Sequence, residues 1–188
     1  MNQVSTPVDP DVSAFEQGEL LIYATEAVMG IGCDPNNEAA VKKLLAIKQR
    51  PVEKGLILVA SNYSQLLPFV DDNAIPQDRR FAIFSCWPGP VTWLLPKSAT
   101  APQWVTGEHD KIAVRVSAHE GVKALCDKLN GPIVSTSANP SGDEPARTIE
   151  QAKAYFGDSV HYVPSEVGGA AQPSMIKDAM TGAIIRNA

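Results

Sequence analysis

Lys48, Arg50 and Lys54 put three cations within seven residues, a set that can grip an anion. An arginine fork binds phosphate or carboxylate oxygens in pairs while a lysine acts as a point charge, so the trio suits a polyphosphate. The same charge run also describes a solvated basic connector, the commoner use of such a stretch. Anchoring at both ends would separate the two readings. Upstream, Ala40, Val41, Leu44, Leu45 and Ile47 recur on one face, which predicts a helix over Asn37 to Ile47. Pro51 turns Arg50 away from α-geometry, so that helix ends near Lys48. Downstream, the unbroken apolar run Leu56-Ile57-Leu58-Val59-Ala60 predicts a strand covered on both faces. The three cations therefore belong to a loop tied to the core on either side, which can aim them.

A second group of polar side chains, Ser135-Thr136-Ser137-Ala138-Asn139-Pro140-Ser141-Gly142, follows the predicted strand Pro132 to Ser135. Ligands of α/β sheets bind at the carboxyl ends of strands, and that is where these hydroxyl and amide groups fall. The alternative is a loop whose Ser and Asn side chains cap its own backbone. Arg115 interrupts the apolar strand Ile112 to Val116, and a buried arginine needs either a protein carboxylate or an anionic ligand. The sequence leaves both open. Arg147 precedes a helix capped by Thr148, and Arg186 sits in a final strand, Gly182 to Arg186.

The elements alternate β and α. A helix ending at Gln17 leads through Gly18 to a strand over Leu20 to Ala24, and residues 25–34 read as a polar, glycine-bearing loop. A dinucleotide fingerprint fails there, because its third glycine would fall on Pro35. Gln77 to Phe84 and His119 to Asn130 are further helices, Val91 to Leu95 a further strand, and residues 97–110 a long polar loop around Trp104. His109, His119 and His161 lack metal-ligand spacing and read as surface or capping residues. Cys33, Cys86 and Cys126 are an odd, widely spaced set, as expected of reduced thiols.

At 188 residues the chain suits one domain, 1–188, with 44% hydrophobic and 20% charged residues. No apolar run approaches the roughly 20 residues of a membrane span, and Met1 to Asp11 carries acids without Lys or Arg, unlike a secretory or transit leader. A cytoplasmic protein is expected. The net charge of −5 argues against a broad phosphate-tracking surface but leaves room for one local basic pocket.

Taken in order, Thr25-Glu26 with Gly30-x-Gly32, Lys48-x-Arg50-Pro51, Lys54-Gly55-Leu56, Pro88-Gly89-Pro90-Val91-Thr92, Ala113-Val114-Arg115, Ser135 to Gly142 and Pro173-Ser174 resemble the YrdC-like family. The resemblance covers Gly18 to the C-terminus and departs at Ala24, where many members have proline, and at Ala27, where they have threonine. It implies a single α/β domain with a twisted mixed β-sheet flanked by helices around a concave basic cavity. It also implies a reaction: L-threonine, bicarbonate and ATP give threonylcarbamoyl-AMP and pyrophosphate, with Mg2+ carried mainly by the nucleotide rather than by protein ligands. Protein partners would then pass the threonylcarbamoyl group to tRNA next to the anticodon, with at most a weak tRNA contact by this chain. Carried over residue by residue, Lys48 and Arg50 are the catalytic pair. Lys54, Thr92, Ser137, Asn139, Arg147 and Arg186 join them as nucleotide contacts, and Thr25, Arg115 and Ser135 are the threonine contacts. The rival expectation is a non-catalytic RNA-binding or ribosome-associated module using the same basic cavity. A carbamoyl-adenylating enzyme of metallocentre assembly would need further segments for which this length has no space.

Overall fold

The computed structural model describes residues 8–170 and 172–187. Residues 1–7 of the stretch read as unlike a leader lie outside them. Helix α1 (Pro10–Glu16) starts on Asp9, whose side chain accepts from the Asp11 N–H, and Gly18 at φ 76° turns the chain into β1 (Leu21–Ala24). Helix α2 (Glu38–Ile47) is capped by Asn37 and buries Ala40, Val41, Leu44 and Leu45, the face its spacing predicts. A 3-10 turn over Val52–Lys54 then leads into β3 (Ile57–Ala60).

Two stretches differ from the sequence expectation. Residues 25–34 hold strand β2 (Met29–Cys33), which pairs antiparallel with β1. Glycine is unfavourable in strands and so reads as loop, yet here it is required by close approach. A Cβ on Gly32 would lie 1.8 Å from the Val134 carbonyl oxygen, and one on Gly30 would meet the Tyr23 ring at 3.0 Å. Residues 97–110, expected as a loop, contain helix α4 (Gln103–Thr106). It is pinned by the Trp104 indole N–H to Pro35 O at 2.9 Å and by the Leu56 N–H to Val105 O at 2.8 Å, with Val105 fully buried.

The remaining elements are α3 (Gln77–Phe84), β4 (Val91–Pro96), β5 (Lys111–Val116), α5 (Glu120–Lys128), β6 (Ile133–Ser137), α6 (Ile149–Phe156), β7 (His161–Tyr162), β8 (Met175–Asp178) and β9 (Ile184–Arg186). The strands form one mixed sheet in the order β7-β1-β2-β6-β3-β5-β4-β8-β9. Its larger core covers one face and includes Ile22, Ile31, Leu44, Leu58, Val114 and Val134. On the other face Leu21, Tyr23, Val59 and Ile133 pack with α1 and α5 through Phe15, Val122 and Leu125. Ile57 packs at the edge of that cluster, and strand residues of the same parity continue beyond it as Ser135 and Ser137, which are only partly buried. The open half of this face is where the site lies. No helix among the described residues is long and apolar enough to cross a membrane.

Candidate functional site

Register brings residues distant in sequence into one line. A cross-strand row runs from Gly32 through Ser135, Ile57, Ala113 and Leu94 to Asp178. From Ser135 to Asp178 this row floors a cavity of about 920 Å3, near the upper end for small-molecule sites. Six cations line it, Arg50, Lys54, Lys111, Arg115, Arg147 and Arg186, against four carboxylates, Glu26, Asp110, Glu144 and Asp178.

The cations are held in different ways. Arg50 donates from Nε and Nη2 to the Gly55 carbonyl at 3.0 and 2.9 Å, which folds its guanidinium back along the loop that carries it. Arg186 donates to Ser174 O at 2.8 Å, and Ser174 Oγ lies 2.9 Å from the buried Thr92 hydroxyl. Burial, with Arg115 and Arg50 nearby, lowers the Arg186 pKa, so these three guanidinium groups share one field. Arg147 reaches Ala27 O at 3.4 Å. Two cations have carboxylate partners: Lys111 pairs with Asp178, and the buried Arg115 pairs through Nη1 with Glu26. Burial alone would raise Glu26, but the Arg115 charge and the Ser117 hydroxyl, 2.6 Å from Glu26 Oε1, hold its carboxyl below the ordinary range.

Eight of the eleven residues singled out from sequence line this cavity: Thr25, Arg50, Lys54, Arg115, Ser135, Ser137, Arg147 and Arg186. Lys48, Thr92 and Asn139 do not. The Lys48 ammonium donates to Ser137 O at 2.8 Å, Asn139 O at 2.8 Å and Asn139 Oδ1 at 3.0 Å, so its three N–H bonds end on the loop after β6. Burial, then the Arg50 charge, pushes Lys48 down to about 8. Asn139 Nδ2 donates to Pro140 O and Asp143 O at 2.8 and 2.9 Å, which is the loop-capping alternative rather than a cavity-facing amide. Thr25 Oγ1 donates to Val28 O at 2.7 Å and closes its own turn. His119 caps α5, His161 pairs with Asp11 at 2.7 Å, and His109 stands at the exposed edge of the cavity.

A family model named for Sua5, YciO and YrdC, and described as telomere recombination, matches residues 13–188. The chain belongs to the Sua5/YciO/YrdC family. Among curated Sua5/YciO/YrdC relatives, the threonylcarbamoyl-AMP synthase of Pseudoalteromonas atlantica is 55% identical over 179 residues, covering 95% of this chain and 96% of the relative. That of Yersinia enterocolitica is 54% identical over 171 residues, covering 91% and 90%. A solved structure of P. abyssi Sua5 complexed with L-threonine matches with a TM-score of 0.83 at 29% identity over 92% of this chain. This chain spans 51% of that longer one.

Three connections within the site escaped the reading from sequence. Glu26 was visible only as a neighbour of Thr25, because nothing in one dimension brings it to Arg115, 89 positions away. The Lys111–Asp178 pair spans 67 positions and depends on β4 lying between β5 and β8. Ser174 joins Thr92 to Arg186 only through the parallel pairing of β4 with β8.

Proposed function

We infer that this chain is an L-threonylcarbamoyladenylate synthase. The observation that supports it most is the convergence of Arg50, Lys54, Arg115, Ser135 and Ser137 on one cavity in a chain 55% identical to a synthase of that name over 95% of its length. The amine of threonine adds to carbon dioxide derived from bicarbonate and loses a proton, giving a carbamate. A carbamate is a poor acyl donor because its oxygen leaves badly, and joining that oxygen to AMP remedies this. The carbamate oxygen attacks the α-phosphorus of ATP, the bond from that phosphorus to the bridging oxygen of the β-phosphate breaks, and pyrophosphate departs. Like charges oppose the approach of carbamate to triphosphate, and Arg50 and Lys54 offset that repulsion. Arg115 takes the threonine carboxylate; Ser135 and Ser137 donate to substrate oxygens at the strand end.

Lys48 and Asn139 act in this reading from behind the wall, fixing the loop that carries Ser137, and Thr92 through Ser174 does the same for Arg186. Arg147 and Arg186 complete the nucleotide contacts. Mg2+ would enter on the nucleotide, and two of the cavity's carboxylates, Glu26 and Asp178, already pair with cations. The product would pass, in the cytoplasm, to partner proteins that modify tRNA beside the anticodon. An RNA-binding module is disfavoured by the lining, which among the described residues includes no Phe, Tyr or Trp on which bases could stack. Mass spectrometry of the protein incubated with ATP, threonine and bicarbonate tests the reading. Threonylcarbamoyl-AMP is the expected product, and its absence in the complete mixture would refute the assignment.

A further inference from the structure

We propose that Glu26 is a positioning residue that holds Arg115 ready for the substrate carboxylate. This rests on the reading of Arg115 as the carboxylate contact. Four observations carry it. First, Glu26 is itself fixed: the Gly168 and Ala170 N–H groups donate at 2.9 Å to Thr25 O and Glu26 O, and a Cβ on Gly168 would come within 2.8 Å of Glu26 O. Second, both side-chain contacts of its carboxylate, Arg115 Nη1 and Ser117 Oγ, end on Oε1, so the group is tethered at one oxygen and does not chelate the guanidinium.

Third, Arg115 is 7% exposed and its Nε has no hydrogen-bond partner among the described residues. A buried N–H left unpaired is costly, so the guanidinium is kept in this orientation against a cost, and its pair with Glu26 is what holds it there. Fourth, of the four carboxylates that line the cavity only Glu26 pairs with Arg115, and Asp178 is engaged by Lys111 and by the Met180 and Thr181 N–H groups at 2.8 and 3.1 Å. Glu26 thus occupies one side of the fork and leaves the other for ligand. With Glu26 gone, Arg115 lies among the like charges of Arg50 and Arg186 and swings away from them.

Steady-state kinetics on the full chain test this, with threonine and ATP varied separately in wild type, Glu26→Gln, Glu26→Ala and Arg115→Lys. Glu26→Ala is expected to raise the threonine KM about tenfold, the cost of a misplaced charged donor, while the ATP KM stays within about twofold. Glu26→Gln, which keeps the shape and the acceptor, should recover part of that loss. An unchanged threonine KM in Glu26→Ala, or equal rises for both substrates, would overturn the proposal. Arg115→Lys separates the two layers. If it leaves the threonine KM unchanged, the reading of Arg115 has failed and the role of Glu26 with it. If it raises that KM and Glu26→Ala does not, only the positioning role is lost.

Discussion

Lys48 and Arg115 are both partly or wholly buried cations beside the same cavity, and they are compensated in opposite ways. Arg115 has a carboxylate, Glu26, so its charge is neutralised locally and its geometry is fixed by an ion pair. Lys48 has only neutral oxygens, three of them from Ser137 and Asn139, and burial pushes it down to about 8. Neutral acceptors satisfy donors without cancelling charge. The helix-end side of the cavity thus carries Arg50 and Lys54 without carboxylate partners among the described residues, with Lys48 behind them, whereas Arg115 and Lys111 on the sheet side are held in charge pairs.

Breaking the pair on the sheet side should have the largest effect. Arg115→Met leaves Glu26 without its partner and is expected to cost about 3 kcal/mol of stability by urea denaturation. The double variant with Glu26→Gln should recover most of it; no recovery would mean that Arg115 acts by packing and not as a pair.

On the other side, the end of β6 supplies a ligand-facing residue and the loop after it a structural one. Asn139→Ala removes two donated bonds and one accepted from Lys48, and should lower stability by about 2 kcal/mol. Ser137→Ala, at a cavity-lining position, should leave the melting temperature in place and reduce kcat/KM. If the two variants behaved alike, the distinction between wall and lining would be wrong.

The smallest effect is in pH. Lys48 is pushed down to about 8 in the fold from an ordinary 10.5, so between those values the unfolded chain holds more of this proton. Stability from position 48 therefore rises with pH across that window. Relative to Lys48→Met, the wild type should gain thermal stability between about pH 8 and about pH 10, and parallel pH curves would contradict a lysine held as an uncompensated charge.

Much of this was legible in one dimension because it is local. The helix over Glu38–Ile47 follows from apolar spacing, and the cationic loop follows from Pro51 and the run after Gly55. Where two readings were open, sequence could not choose. Arg115 found a protein carboxylate 89 positions away and strand register placed Ser137 in the cavity wall, whereas Asn139 capped its loop through local bonds to Pro140 and Asp143 that composition alone does not distinguish from a ligand contact. Strand β2 was missed for a related reason: Gly30 and Gly32 read equally as turn or as close-approach glycines, and only the fold places Tyr23 and the Val134 carbonyl against them.

The central claim is that this cavity joins a carbamate to the α-phosphate of ATP. Incubation with α-labelled and γ-labelled ATP, with threonine and bicarbonate supplied together or one at a time, tests it most directly. Labelled pyrophosphate and an α-labelled threonylcarbamoyl adenylate should appear only when both co-substrates are present. ADP with orthophosphate, or pyrophosphate release that ignores threonine, would contradict it.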